Sequence, residues 1–336
     1  MLWWRLWNAV ALASLLAAAD ALRPLVITSE KMMDHRSATY HPEQPLRLSE
    51  TLIAVQKLQA TGIVDIQTPA LDGSAEERAK VLKIIKNVHD HAYVDQVFHL
   101  ARRGARMLDP WDSDTYLSKG SFETVLLAQS SWLDGVDAVV QQGRMAFALA
   151  RPPGHHAKYD GSMGFCIFNF AVGAARYAMQ RHGLGRVCIL DFDAHYGNGV
   201  ADLVKADKNI RYSSLHQDGL FPRGRGKVEE RGDHGNILNI PLEAGCAWEQ
   251  YRKHLVEEAV PFLKDFGPDL LIVCAGFDAI HSDETAELGL KSQDYGEMAQ
   301  ILRDAFGPAI LFGLEGGYSL EDLPTAVENT IAPFAE

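Results

Sequence analysis

The sequence predicts an α/β fold, one domain built on a mostly parallel sheet with helices on both faces, and two observations predict it. Short β-branched or apolar runs bounded by turn residues alternate with longer stretches of helical periodicity, the pattern of strands joined by crossover helices. After residue 22 no linker, repeat or low-complexity stretch divides the chain, and Gly and Pro punctuate it without clustering. In chain order the strands fall at 24–28, 145–150, 187–190, 210–215, 237–240, 270–274 and 309–313, each a short apolar run between turn signals. Helical patterns run between them over 45–61, 75–86, 121–142, 168–182, 248–266 and 291–306. Sheets of this kind place ligands beyond the carboxyl ends of their strands.

Composition narrows the function. The chain has 336 residues, 47% hydrophobic and 23% charged, which is enough for a large buried core. Its 44 acidic and 32 basic residues give a net charge of −12, the wrong sign for direct nucleic-acid binding and suited to a cationic substrate. Cys166, Cys188, Cys246 and Cys274 form no CxxC pair, which excludes a cysteine zinc module and a disulfide framework; they read as small buried apolar residues. Residues 1–21 differ from the rest: Arg5, an uncharged apolar stretch, then Ala19-Asp20-Ala21 in the form of a cleavage site. They are expected to be a secretory or organellar targeting segment, too short for a permanent membrane span, ahead of a catalytic domain at 22–336.

Four expected strands end in chemistry. One runs into Asp191, Asp193 and His195 at spacing two, which puts all three on one face if the strand extends that far. A second ends at Asp278, a third at Gly316-Gly317-Tyr318, and a fourth delivers the adjacent His155 and His156. Asp193, His195 and Asp278 make a carboxylate, imidazole, carboxylate set that leaves a divalent metal open to water and substrate, and zinc suits it best. His155 and His156 remain as proton-transfer groups, with Asp191 and Asn198 placed to orient one each. Tyr318, freed by its two glycines, can donate to a developing oxyanion. The reaction this set suits is amide hydrolysis.

The motifs HPEQPLRL (His41), VHDHAYV (Val88), RPPGHHA (Arg151), GFCIFNF (Gly164), DFDAHYGNG (Asp191), SLHQDGLFP (Ser214), AGFDA (Ala275) and LEGGYSL (Leu314) follow in order from about residue 28 onward. Together they resemble the histone deacetylase superfamily, closer to its class II and bacterial members, acetylpolyamine amidohydrolases among them. The resemblance implies a single-domain arginase/deacetylase-like fold. It implies zinc held by Asp193, His195 and Asp278, with His156 as general base and then acid, His155 as its electrostatic partner and Tyr318 as polariser of the acyl carbonyl. Gly164, Phe165 and Phe221 match a narrow tunnel for an acyl-lysine stem, and Asp191, with carbonyls near Ser214 and Leu215, matches a structural potassium site. The implied substrate is acetyl-lysine in protein or an acetylated polyamine, and a rim acid is expected at Asp112 or Asp114.

Tyr196 stands where relatives often carry a second His, and Phe170 where many carry Asn; Arg223 and Arg225 occupy a loop that is usually PGTG. Thr285 replaces the Glu that polyamine-selective relatives use, though Glu284 and Glu287 lie nearby. The nearest rival enzyme is an arginase-like two-manganese hydrolase, whose extra bridging acids would fall on Gly197 and Gly276 and are therefore missing. The rival of another class, a protein that binds acyl-lysine without turnover, would lack a ligand, the His pair or the Tyr, and all are present.

Overall fold

The structure is a computed structural model that describes residues 23–71, 74–109 and 112–335. The targeting segment expected at 1–21 lies outside the described residues. β1 (Leu25–Ile27) leads to α1 (Pro45–Ala60), where Pro45 sits in the first turn and so forfeits no helical hydrogen bond. β2 (Asp65–Gln67) precedes α2 (Ala75–Val88), which Ser74 caps by accepting from the Glu77 amide. α3 (His91–Arg103) is capped by Asp90 and closed by left-handed Gly104. β3 (Met107–Asp109) and β4 (Asp112–Tyr116) form a separate antiparallel pair.

Then come α4 (Ser121–Gln142), β5 (Ala146–Ala148), α5 (Phe170–His182), β6 (Val187–Asp191), α6 (Asn198–Val204), β7 (Ile210–Gln217) and β8 (Ile237–Leu242). The helix expected over 248–266 is three pieces: α7 (Trp248–His254), a π turn (Leu255–Ala259) and α8 (Val260–Asp265). Pro261 explains the break, because it has no amide to give and its ring crowds the carbonyl one turn earlier. β9 (Leu270–Ala275), α9 (Asp294–Phe306), β10 (Ile310–Leu314) and α10 (Leu323–Ile331) complete the described elements.

Eight strands make one sheet in the order β2-β1-β5-β10-β9-β6-β7-β8, and every neighbouring pair is parallel. β10 shows how both faces are covered. Gly313 lacks a side chain because Trp132 of α4 occupies that space, and Gly135 of α4 meets Leu311. Phe312, pointing the other way, packs edge-on against Phe334 at 5.6 Å. The four strands expected to end in chemistry, β5, β10, β9 and β6, are consecutive in the middle of the sheet. Among the described residues no helix is long and apolar enough to cross a membrane.

Three buried histidines hold neutral positions in this fold. His89 has Nδ1 2.8 Å from the Lys158 carbonyl and accepts the Asn169 amide at 2.9 Å; His216 Nδ1 is 2.9 Å from Ser214 Oγ and Nε2 is 3.0 Å from the Gly226 carbonyl. Burial pulls His35 down to about 3 and both His89 and His216 down to about 4, from an ordinary 6.5. Their folded values lie below the unfolded one, so their contribution is complete above pH 6.5 and is lost as pH falls and the unfolded chain takes protons the folded chain refuses. By pH 5 this amounts to about 2 kcal/mol for each histidine. Unfolding followed from pH 7 to pH 4 is expected to show a steadily falling Tm; a flat profile contradicts the assignment.

Candidate active site

β6 stops at Asp191, so Asp193 and His195 lie on a turn and not on the strand face that the spacing of two implied. The turn is shaped by its own acids: Asp191 Oδ1 accepts from the Asp193 amide at 3.2 Å and Asp193 Oδ1 from the His195 amide at 2.9 Å. β9 lies beside β6 and brings Asp278 just beyond its own end. His195 Nδ1 is 3.1 Å from Asp193 Oδ1 and 2.9 Å from Asp278 Oδ2, and the ligand atoms of the three residues all lie within 4.8 Å of one another. Backbone amides fix the other oxygens, Gly316 N on Asp193 Oδ2 at 2.8 Å and Ala194 N on Asp278 Oδ1 at 2.7 Å.

The electrostatics of this triangle call for a cation. Both aspartates are fully buried. Burial and then repulsion from Asp193 push Asp278 up to about 7; burial also opposes the charge on Asp193, but His155 and His195 outweigh it and hold that carboxyl well below the usual range. Two carboxylates confronting a single imidazole nitrogen are a nitrogen and oxygen donor set of the kind zinc takes, and His195 of that set also lines the cavity described below. The backbone is cut to fit: a Cβ on Gly276 would overlap Asp193 Oδ2, and one on Gly316 would overlap Asp278 Oδ2. Gly276→Ala is therefore expected to displace Asp193 and weaken binding of any metal held by this set by at least the 10- to 100-fold seen when a metal ligand loses its support, measured by competition with a chelator. Unchanged affinity would show that the close approach is incidental.

β5 feeds the His pair. Glu315 Oε2, at the end of neighbouring β10, accepts the amides of Gly154 at 2.6 Å and His155 at 3.0 Å and so fixes the dipeptide. His155 Nδ1 lies 3.1 Å from Asp191 Oδ2, and His156 Nδ1 lies 2.8 Å from Asn198 Oδ1. The two rings sit 4.0 Å apart yet differ in charge. Burial pulls His155 down, but Asp193 and Asp191 more than offset it and lift the ring to about 10. Burial, with the positive charges of His155 and His195, drives His156 well below its ordinary value. A cationic imidazole thus stands beside a neutral one, the arrangement that separates electrostatic and basic roles. Because Asn198 Oδ1 is an acceptor, His156 keeps its proton on Nδ1 and Nε2 is the basic atom.

These groups open on a cavity of about 220 Å³. His155, His156 and His195 line it together with Gly164, Phe165, Phe221 and Tyr318; Asp112, Asp114 and Thr285 complete the lining. Phe221 stands edge-on to His156 at 5.1 Å, and Phe165 edge-on to Tyr318 at 5.6 Å. Gly164 is left-handed at φ 53°, and a Cβ there would crowd both His156 and Phe221. Phe165 holds φ 69°, a strained value for a side chain of that size, with its amide bonded to Thr115 Oγ1 at 3.0 Å.

The loop carrying Tyr318 is pinned, against the freedom expected from its glycines. Arg47, fully buried, donates from Nε to the Gly317 carbonyl at 2.6 Å and from Nη2 to the Glu315 carbonyl at 2.5 Å, and its guanidinium lies 4.7 Å from the Tyr318 ring centre. Asp283 Oδ2 accepts the Tyr318 and Ser319 amides at 2.5 and 3.0 Å, while its Oδ1 takes the Thr285 hydroxyl at 2.6 Å. The glycines serve close packing: Gly317 adopts φ 112° and Gly316 lies against both metal-set acids. The departures noted in the sequence sit elsewhere. Tyr196 packs on His216 at 4.8 Å, Phe170 is buried at the start of α5, and Arg225 pairs with Asp202 and Glu230. Asp191, whose Oδ2 also takes the Tyr212 hydroxyl at 2.8 Å, gives no support to a potassium ion beside it.

The family model described as the histone deacetylase domain matches residues 41–334. The chain belongs to the histone deacetylase family. It is 40% identical to an uncharacterized protein of Synechocystis sp. over 92% of this chain and 98% of that one. It is 34% identical to the chloroplastic histone deacetylase 14 of Arabidopsis thaliana over 95% of this chain and 78% of that one, and 33% identical to the histone deacetylase-like amidohydrolase of Pseudomonas aeruginosa over 86% and 75%. Among solved structures, the HD domain of HDA15 superposes with a TM-score of 0.84 at 29% identity, covering 93% of this chain and 88% of that one. An acetylpolyamine aminohydrolase from Burkholderia pseudomallei superposes with a TM-score of 0.80 at 24% identity, covering 92% and 98%, a likeness of fold. The histone deacetylase-family assignment makes the chain a hydrolase. At the two positions where an arginase-like site would carry its extra acids, Gly197 and Gly276 have no room for a side chain next to Asp191 and Asp193.

Proposed function

We propose that the protein is a zinc-dependent deacetylase that hydrolyses the amide of an acylated primary amine, acetyl-lysine in a protein chain first. The observation that carries the reading is the pair of imidazoles 4.0 Å apart, one backed by Asp191 and the other by Asn198, lining the same aromatic-walled cavity as His195 of the metal set. Asp193, His195 and Asp278 would hold zinc, which when bound supplies Lewis acidity toward water and the acyl carbonyl. Phe165 and Phe221 would sandwich the alkyl stem and keep bulk water off the amide. His156 Nε2 would take a proton from the attacking water as its oxygen bonds to the carbonyl carbon. Tyr318 would donate its hydroxyl to the oxygen on which negative charge develops, its backbone held by Arg47 and Asp283. His156 would then pass the proton to the nitrogen as the C–N bond breaks, releasing acetate and the free amine, while His155, paired with Asp191, stays positive beside it.

Asp112 and Asp114 in the cavity lining favour a second substrate, an acetylated polyamine, whose distal ammonium they would face. Glu284 supports this less, since it accepts the Tyr40 hydroxyl at 3.2 Å. The test is metal analysis together with acetate release from an acetyl-lysine peptide and from an N-acetylated diamine. One zinc per chain with release is expected; stoichiometric zinc without release from either would replace the enzyme by an acyl-lysine binding protein. Tyr318→Phe in the same assay should lower kcat by about 100-fold and leave KM within a few-fold, because the lost bond matters most when the oxygen carries charge. A rise in KM at constant kcat would remove Tyr318 from the chemistry.

A further inference from the structure

We infer that Glu43 is a positioning residue that clasps the two halves of the active site together. Glu43 is fully buried and contributes nothing to the cavity lining. Its carboxylate takes Arg151 in a two-pronged pair, Nε on Oε1 at 2.9 Å and Nη2 on Oε2 at 2.7 Å, and takes Arg47 Nη1 on Oε1 at 3.3 Å. Arg151 begins the loop that ends in His155 and His156. Arg47 grips the two carbonyls that flank the turn into Tyr318. One carboxylate therefore joins the arginine of the proton-transfer loop to the α1 arginine that holds the carbonyl-donor loop. Tyr116 adds a third tie, donating to Glu43 Oε2 at 2.8 Å from the end of β4, the strand that carries Asp112 and Asp114 into the cavity lining.

The charges explain why this joint is specific to a carboxylate. Burial alone would favour a neutral Glu43, but the Arg151 and Arg47 guanidiniums outweigh it and hold the group down to about 2, so the ionised form is the folded form. Two buried guanidiniums, one in the first turn of α1 and one at the head of the proton-transfer loop, share this anion, so displacing either one shifts the anion and, through it, the other. Reaction geometry tolerates little such movement, since misplacement by about 1 Å is enough to cost 100-fold in rate. The inference rests on the deacetylase reading for its kinetic consequence but not for its structural one.

The experiment pairs turnover with hydrogen exchange on the full zinc-loaded chain. Arg151→Lys keeps the charge and removes the two-pronged geometry. It is expected to lower kcat at least tenfold with KM within threefold and one zinc per chain retained. The same substitution should speed amide exchange about tenfold over residues 314–320, although the change is made on the other loop. Glu43→Gln should act in the same direction, and its loss of kcat should shrink in a Tyr318→Phe background, where the group being misplaced has lost its hydroxyl. Exchange that quickens only around 150–157, kcat within twofold of the parent, or equal losses in both backgrounds would each overturn the clasp. If the parent chain releases no acetate, the deacetylase reading fails, and the exchange response over 314–320 still decides the clasp; Arg151→Lys serves if Glu43→Gln does not fold.

Discussion

His156→Ala is expected to retain one zinc per chain and to lose about 1,000-fold in kcat on an acetylated amine. The side chain hydrogen-bonds Asn198 and none of the metal set, and its ring meets His195 only edge-on at 6.1 Å, so its removal leaves the hydrogen bonds that hold Asp193, His195 and Asp278 in place. It is also the imidazole whose neutral state the surroundings enforce, through burial and through the positive ring of His155 beside it. His155→Ala is a contrasting change, because it withdraws a cation from Asp191 and Asp193 and so disturbs charge balance along with catalysis. Metal analysis and steady-state kinetics on the two variants check the difference. A His156→Ala chain that turns over within tenfold of the parent would transfer the base to another group and overturn the mechanism proposed for this cavity.

Asp278→Asn should abolish turnover by the other route, through the metal. The amide side chain can still accept the Ala194 backbone proton, which preserves the turn, but the oxygen facing His195 Nδ1 loses its charge. Zinc affinity should fall by more than the 10- to 100-fold associated with supporting residues, since a direct donor is lost. The metal-free proteins should rank the opposite way. At neutral pH and without metal, ionised Asp278 is disfavoured by burial and by Asp193, so replacing it with a neutral isostere should raise the Tm of the metal-free chain. Thermal unfolding with and without added zinc checks both halves: zinc should stabilise the parent and leave the variant nearly unmoved. Equal stabilisation of both by zinc would place the binding elsewhere.

The parts of the fold legible in the sequence were those that bury both faces. β5, β6, β9 and β10 are apolar runs up to their last residue, and their carboxyl ends carried the candidate site. β2 escaped notice because an edge strand pairs on one side only, and Asp65-Ile66-Gln67 is half exposed. β4 reads Asp-Ser-Asp-Thr-Tyr, a turn composition that only pairing with β3 makes into a strand. Within the site, Asp193, His195 and Asp278 came from strand-end position, although the periodicity that singled out the first two does not describe the turn they occupy. Arg47, Glu43, Asp283 and Glu315 were passed over for one reason. On a helix or in a loop a charged side chain reads as solvated surface, and the three-dimensional burial of Arg47, Glu43 and Glu315 is what turns them into structural anchors. The one clue was positional: Glu43 and Arg47 lie in the HPEQPLRL motif, Glu315 lies in LEGGYSL with Tyr318, and Asp283 follows AGFDA with Asp278.

Gly276 has an implication for how this chemistry can change over time. The space a carboxylate would need at that position is already filled by an oxygen of Asp193, and Gly197 is blocked in the same way by Asp191 and the Tyr212 hydroxyl. An acid introduced at either place would have to displace a carboxylate already there before it could share an ion with it. Conversion toward a two-metal site is therefore expected to need compensating changes in the turn and the opposing loop.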